Sequence, residues 1–235
     1  MKKMVVLNHK LYMNYDDVKE YIREVKDHIR MDIDVVMCPS SIFIPYFKGR
    51  YNFYLGTQNL SGTVATGEVS GLQLKSLDVR YALVGHSERK INLKETNKMI
   101  NTNIKEALKY NIIPIVCLGE TKEEHERKKT AEVIIKQLKD YFFDVEVLAD
   151  VVLAYEPIWA IGSNMVPKNK EIEEIVQLIK DVMFKKFNVN IRVLYGGSVN
   201  LKTIDKLNEI VNIDGYLLGR VSTDTKALLM IMDKM

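Results

Sequence analysis

The feature of this sequence that most constrains its fold is the alternation of short apolar runs with longer amphipathic segments. There are eight such runs, each four to six residues long, at positions 4–7, 33–38, 53–56, 81–84, 112–117, 151–155, 191–195 and 213–218. Runs that are largely apolar, without a polar residue at every second position, are typical of strands buried on both faces of a parallel sheet. The pattern therefore predicts eight parallel strands.

The segments between these runs carry apolar residues at helical spacing. In the first segment they would share one face of a helix: Val18, Tyr21, Ile22, Val25 and Ile29. Thr121 and Glu124 have the spacing of a capping box, which predicts a helix from there to about Tyr141. Residues 40–47 and 72–77 are only weakly periodic, so we expect short helices there.

Strand–helix alternation implies right-handed βαβ units, which assemble into one of two architectures. About six units form an open doubly wound sheet, whereas eight fit a closed barrel. No Gly-, Pro- or Ser-rich linker divides the 235 residues. We therefore predict an α/β protein with one domain, residues 1–235, folded as a (β/α)8 barrel.

Composition and charge exclude several classes of protein. The chain has 34 Lys and Arg residues against 31 Asp and Glu residues. It has no stripe of basic residues with aromatic residues between them, so we expect no nucleic-acid partner. Its two cysteines, Cys38 and Cys117, lie far apart without neighbouring ligand residues, which argues against a metal site and for reduced thiols. No apolar run is long enough for a membrane span or a signal-peptide core. We expect a cytoplasmic protein with no membrane contact.

Polar residues that directly follow the apolar runs are the candidates for chemistry, because the loops after the strands carry the active site of a parallel barrel. They follow five of the eight runs: Asn8, Lys10, Gly85, His86, Ser87, Glu88, Arg89, Glu156, Gly196, Gly197, Ser198, Gly219 and Arg220. We expect these residues to meet at one mouth of the barrel.

Each of these candidates also has a structural explanation. His86 is either a satisfied polar residue or a functional one, and Glu156 is either paired or used, because an idle buried carboxylate is costly. Residues 196–198 form either a simple tight turn or a cradle of backbone N–H groups for an anion. By contrast, His28 and His125 lie in charged helical segments, where we expect them to be solvated.

Several longer strings narrow these alternatives. The sequence contains AYEPIWAIG (154–162), VGHSER (84–89), VCLGET (116–121), TGEVS (66–70) and YGGSV (195–199), together with Asn8-x-Lys10. In this order they resemble the triosephosphate isomerase family over essentially the whole chain. The resemblance implies a single-domain (β/α)8 TIM barrel that works as a homodimer in glycolysis and gluconeogenesis. It implies an isomerase that interconverts dihydroxyacetone phosphate and D-glyceraldehyde 3-phosphate through an enediol(ate), without cofactor or metal.

The resemblance also assigns catalytic roles. It implies that Glu156 is the base that shuttles the proton and that a neutral His86 polarises the substrate carbonyl. Lys10 would supply positive charge, and Asn8 a hydrogen bond to the developing oxyanion. Three residues would support these groups: Glu88 by orienting Lys10, Ser87 by holding Glu156 in the open state, and Cys117 by packing near the base.

The remaining roles concern the phosphate, the lid and the subunit interface. The resemblance implies that backbone N–H groups bind the phosphate at Gly162, Ser198, Gly219 and Arg220. It implies a closing lid over residues 157–167 that begins with Pro157, Ile158 and Trp159. Three residues would lie at the interface between subunits: Thr66, Glu68 and Arg89.

The chain departs from the family pattern at three places. The lid is shorter between Gly162 and Pro167, where it contains Ser163 and Asn164, and it lacks the usual Lys-Thr-Ala hinge. The second glycine of the last phosphate loop is replaced by Arg220. The loop over residues 58–68, which normally inserts into the partner subunit, is also shorter.

These departures leave two other functions open. One is a paralogous isomerase of a larger phosphorylated ketose, such as a four-carbon one, because the lid and Arg220 border the end of the site that decides substrate length. The other is an inactive barrel kept for binding. Retention of all four catalytic side chains argues against the second, because buried charges are costly when unused.

Overall fold

The computed structural model describes residues 2–49, 52–145, 150–163 and 165–235. Over these residues, eight parallel strands close into a barrel in which each strand pairs with its neighbours in chain order. The strands are Met4–Asn8 (β1), Asp34–Cys38 (β2), Tyr54–Thr57 (β3), Tyr81–Val84 (β4), Ile113–Leu118 (β5), Val152–Tyr155 (β6), Arg192–Tyr195 (β7) and Gly215–Leu218 (β8). Each predicted apolar run contains all or most of one strand. The predicted (β/α)8 TIM barrel is therefore confirmed.

Helices surround the barrel and follow the strands. They are Tyr15–Val25 (α1), Ile44–Phe47 (α2), Gly71–Ser76 (α3), Ser87–Asn92 (α4), Asn97–Lys109 (α5), Lys122–Glu126 (α6), Thr130–Tyr141 (α7), Asn169–Phe187 (α8), Ile204–Leu207 (α9) and Thr225–Asp233 (α10). Short 3-10 turns lie at Ser41–Phe43, Ile158–Ala160 and Arg220–Thr223. The helices after β2 and β3 are short, as their weak periodicity predicts.

One predicted helix is wrong in its extent. The capping box is present, since the Thr121 hydroxyl accepts the Glu124 N–H and the Glu124 carboxylate accepts the Thr121 N–H at 2.8 Å. However, α6 ends at Glu126, and Lys128 adopts a left-handed backbone with φ of 56° before α7 begins. Residues 126–129 are all charged, so no apolar side chain holds this stretch against the barrel. The segment therefore forms two helices in place of one.

The interior of the barrel explains why the strands are apolar on both faces. Alternate strand residues point inward and form one cluster: Met4, Val6, Val36, Cys38, Tyr81, Leu83, Ile115, Cys117, Val152, Ala154, Leu194 and Leu217. Their neighbours on the strands, such as Val5 and Leu7, pack outward with the helices in a second, larger cluster. Burying a Leu or Val side chain contributes roughly 1.5–3 kcal/mol. This packing fixes the strand ends and the loops that carry the candidate residues.

None of the helices in the described ranges combines the length and apolar character needed to cross a bilayer.

Candidate active site

A cavity of about 650 Å³ opens at the carboxyl ends of the strands. Its wall contains all the residues that the sequence analysis assigned to catalysis and to phosphate binding: Asn8, Lys10, His86, Glu156, Gly162, Ser198, Gly219 and Arg220. Asn8 is the last residue of β1, and the others come from the loops after β1, β4, β6, β7 and β8. The fold therefore brings them together, as expected for the mouth of a parallel barrel.

His86 and Glu156 face each other directly in this cavity. Gly85 has a positive φ of 71°, which glycine adopts readily, and it turns the chain so that His86 caps the N-terminus of α4. The Nε2 atom of His86 lies 3.3 Å from Oε1 of Glu156, and both side chains are buried. The two groups are thus within reach of the same small substrate.

The hydrogen bonds of His86 define its protonation. Its Nδ1 atom accepts a hydrogen bond from the backbone N–H of Glu88 at 3.3 Å. A ring nitrogen that accepts from a backbone amide carries no proton, so the imidazole is neutral and its proton lies on Nε2. His86 therefore presents an N–H donor to the cavity.

The surroundings of Glu156 hold its carboxylate in place. Its Oε2 atom accepts a hydrogen bond from the backbone N–H of Ser87 at 3.4 Å. Burial, followed by the nearby Glu156 carboxylate, raises the pKa of the Cys117 thiol well above its ordinary value. That thiol is a neutral neighbour of Glu156. A side chain at Gly196 would come within 2.8 Å of the Glu156 Cγ atom, so this glycine leaves room for the carboxylate.

Lys10 supplies the positive charge in the cavity. It follows β1 with a left-handed backbone, φ of 49°, and its N–H donates to the Asn8 side-chain oxygen at 3.1 Å. Its ammonium donates to Oε1 of Glu88 at 2.6 Å. Glu88 thus orients Lys10, and Asn8 lines the cavity with its side-chain oxygen bound to the Lys10 N–H.

The predicted phosphate-binding residues form one end of the cavity. The Ser198 hydroxyl donates to the Ala160 carbonyl at 2.6 Å, which ties the loop after β7 to the beginning of the lid. Arg220 opens the 3-10 turn after β8, and its guanidinium lies 5.3 Å from the ring centre of Tyr12. In the described part of the chain no carboxylate forms a salt bridge with this guanidinium. A positive charge is therefore held, but not neutralised, at the cavity rim.

The beginning of the lid is fixed by residues that the sequence analysis did not single out. Trp159 donates its indole N–H to Oε1 of Glu120 at 2.7 Å, and the Tyr155 hydroxyl donates to the same carboxylate at 3.2 Å. Burial raises the pKa of the Glu120 carboxyl. Glu120 lies in the VCLGET string, so its place directly after β5 was the available signal. Asn164, inside the predicted lid, lies outside the described residues.

His125 is only partly solvated, in contrast to the expectation of a fully solvated side chain. Its ring stacks on Trp159 with centroids 4.3 Å apart and an interplanar angle of 29°. The side chain is only partly exposed, because α6 places it against the lid. His28, in contrast, is exposed as expected. The charged residues around position 125 gave no sign of this contact in the sequence.

The predicted interface residues lie outside the cavity. Thr66 and Glu68 are exposed on the loop after β3. Arg89 reaches Glu95 of its own chain at 3.4 Å, and the carboxylate of Glu95 is buried. Within the described ranges, no group of three or more His, Cys, Asp or Glu side chains is arranged to hold a metal ion.

Comparison with known proteins places this architecture in a family. The family model described as triosephosphate isomerase matches residues 3–235. Triosephosphate isomerase of Mesomycoplasma hyorhinis is 35% identical over 242 residues, covering 98% of each chain. That of Clostridium tetani is 37% identical over 237 residues, with 94% of this chain and 92% of the relative covered. The enzyme of Alkaliphilus oremlandii is 34% identical and covers 99% of each chain. The chain therefore belongs to the triosephosphate isomerase family.

Proposed function

We propose that this chain interconverts dihydroxyacetone phosphate and D-glyceraldehyde 3-phosphate by proton transfer through an enediol(ate). The observation that carries the proposal is the 3.3 Å approach of His86 Nε2 to Glu156 Oε1 in a cavity that also contains Lys10. A carboxylate, a neutral N–H donor and a cation are the groups that this reaction needs. Family membership supports the same reaction.

Glu156 acts as the base. Its carboxylate removes the proton from the carbon next to the substrate carbonyl, and the electron pair of that C–H bond forms the enediolate. The same carboxyl group then returns the proton to the neighbouring carbon, while the hydroxyl proton of the enediolate passes from one oxygen to the other, so that the hydroxyl and the carbonyl exchange places. A base held by the Ser87 N–H within a buried wall is already oriented for both transfers.

The three polar groups opposite the base stabilise the negative oxygen that forms in the transition state. His86 donates from Nε2, Lys10 contributes its charge, and Asn8 donates from its side-chain amide. Because these groups are fixed before the reaction, they need little reorganisation as the charge develops. Removing one fixed donor of this type typically costs about 3 kcal/mol of barrier.

The opposite end of the cavity holds the phosphate on backbone N–H groups of Gly162, Ser198, Gly219 and Arg220. The lid then covers the substrate, which keeps water from the enediolate and prevents loss of phosphate by elimination. The Ser198–Ala160 hydrogen bond joins the phosphate loop to the lid, so a bound phosphate affects both.

The side chain of Arg220 adds a charge to this phosphate site. We expect Arg220→Gln, which keeps the backbone N–H and removes the charge, to raise KM about three- to tenfold with little change in kcat. Steady-state kinetics at low and high salt measure this, and the difference should shrink as salt screens the charge. Lys185→Gln removes an exposed lysine on α8, outside the cavity wall, and is the matched control. An unchanged KM in Arg220→Gln would show that the guanidinium does not contact the phosphate.

Substrate length is tested by comparing kcat/KM for glyceraldehyde 3-phosphate and for a four-carbon analogue. We expect the triose value to approach the diffusional limit, about 10⁸ M⁻¹ s⁻¹ or above, and to exceed the four-carbon value at least about tenfold. A higher value for the four-carbon substrate would replace the proposed reaction by that of a paralogue. Absence of activity with both would favour the binding barrel.

We propose in addition a cytoplasmic homodimer whose subunits each form one domain, residues 1–235. Exposed apolar side chains near Thr66 and Glu68 support the dimer, since Val64 is fully exposed and Leu72 largely so. A second subunit that covered this loop would remove these apolar side chains from water.

A further inference from the structure

The first turn of the lid is held by two contacts from outside the lid. The Trp159 indole N–H donates to Glu120 at 2.7 Å, and the indole ring stacks on His125. Glu120 lies in the loop after β5 and His125 lies on α6, so both contacts come from the neighbouring βα unit. Trp159 is three residues after the base Glu156. Any movement of this turn away from its present position therefore breaks both contacts.

Glu120 and His125 also interact with each other. The Nδ1 atom of His125 lies 3.7 Å from Oε1 of Glu120. The Glu120 side chain is 0% exposed, and both of its side-chain hydrogen-bond donors, Trp159 and Tyr155, are neutral. A buried carboxylate with neutral donors gains stability when a cation appears beside it. The His125 side chain is 36% exposed, so it can exchange its proton with water.

Helix α6 itself carries four other charged residues, Lys122, Glu123, Glu124 and Glu126. Lys122 pairs with Glu126 at 3.8 Å, and Glu123 pairs with Arg127 at 2.7 Å. The described lid residues 157–163 contain no ionisable side chain. Glu120 is therefore the charged group that faces His125 from another element, and Trp159 is the aromatic ring that covers it.

We propose that His125 is a positioning residue that holds Trp159, and with it the open lid, more firmly when its imidazole is protonated. The proton adds an ion pair with Glu120 and a cation–π contact with the indole ring. The cation–π contact exists only while Trp159 stays in its present place, and the ion pair holds the carboxylate that accepts the indole N–H. Protonation therefore favours the open lid, and closure over a ligand favours loss of the proton. The inference rests on the proposed function, in which the lid must close over the substrate.

The chain's single tryptophan makes the first part of the proposal directly measurable. In the protein without ligand, we expect Trp159 fluorescence to fall as pH decreases and His125 takes up a proton. His125→Gln cannot take up the proton, and His125→Arg carries a permanent charge, so both should lose this titration. His28→Gln removes an exposed histidine elsewhere and should keep it.

The second part is measured by kinetics at pH 8 and at pH 6. KM should rise when the pH is lowered from 8 to 6, and the rise should be about threefold larger in the natural protein than in His125→Gln. A threefold effect is the size expected for a cation contact that is partly exposed to water. Values of kcat should change less, because a more stable open lid opposes closure but eases product release. His125→Arg should show the higher KM at both pH values. Ionisation of the substrate phosphate affects all three proteins equally.

The outcomes separate this inference from the proposed function. Fluorescence titration of the unliganded protein does not depend on catalysis, so its presence in the natural protein and absence in both variants supports the His125–Trp159 contact even if the substrate assignment fails. A titration that persists in His125→Gln would overturn the proposal and would point to Glu120 in its place. Identical pH dependence of KM in the natural protein and His125→Gln would also overturn it. Circular dichroism establishes that each variant is folded.

Discussion

Replacing Glu156 by Gln is expected to lower kcat by about 10³-fold or more, because the amide cannot accept the substrate proton. The amide is nearly isosteric with the carboxylate, and its oxygen can still accept the hydrogen bond from the Ser87 N–H. The buried wall should therefore keep its shape while it loses its base. Initial rates with glyceraldehyde 3-phosphate measure the effect, and KM should change much less than kcat.

Glu174→Gln is the matched control, since Glu174 is an exposed carboxylate on α8 that pairs with Lys170 at 3.9 Å. It should keep full activity. Retention of full activity in Glu156→Gln would remove the carboxylate from the mechanism. If neither the natural protein nor the variants turn over substrate, the barrel is a binding scaffold and the proposed reaction fails.

Much of the fold follows from the sequence because the barrel buries both faces of each strand. Val5 and Leu7 pack outward, Met4 and Val6 pack inward, and the whole run is apolar as a result. The strand ends can then be read from the first polar residue, as at Glu156 after Tyr155. The sequence does not show that α6 and α7 are separate helices. The capping box marks only the start of a helix, and the left-handed turn that ends α6 is at Lys128, where a glycine would have been the usual sequence signal.

The sequence indicates which residues line the candidate site, but it does not indicate all the side-chain contacts around it. Residues such as His86 and Glu156 stand directly after strands and lie in long family strings, so their convergence follows from topology. The stack of His125 on Trp159 joins two consecutive βα units through residues that are not close in sequence. Its surroundings in sequence are those of a solvated helix face, and only the three-dimensional arrangement of the loops shows the contact.

His9 is a second residue whose environment the sequence did not show. It stands between Asn8 and Lys10, but its ring packs away from the cavity against Tyr21, with centroids 4.8 Å apart, and Phe47, at 5.6 Å. It is 1% exposed, and neither ring nitrogen has a hydrogen-bond partner in the described part of the chain. Burial lowers the pKa of His9 from 6.5 to about 3. The folded protein therefore keeps this imidazole neutral.

This lowered pKa makes stability depend on pH. Below pH 6.5 the unfolded chain binds a proton at His9 that the folded chain refuses until about pH 3, so the free energy of unfolding falls as pH falls through this window. Between pH 7 and pH 4, His9 lowers the free energy of unfolding by about 3 kcal/mol. We expect His9→Phe, which keeps an aromatic ring in contact with Tyr21 and Phe47, to remove this part of the acid sensitivity. Denaturant unfolding at fixed protein concentration between pH 7 and pH 4 measures it.

The variant His9→Phe also shows whether His9 affects stability without affecting activity. His9→Phe removes two unpartnered ring nitrogens, so it should be at least as stable as the natural protein at pH 7 and clearly more stable at pH 4. Its activity at pH 7 should be retained, because the ring does not line the cavity. His28→Gln alters an exposed imidazole and should leave the pH slope unchanged. Equal losses of unfolding free energy in His9→Phe and the natural protein would mean that His9 is protonated in the folded state, which requires a partner for its buried charge.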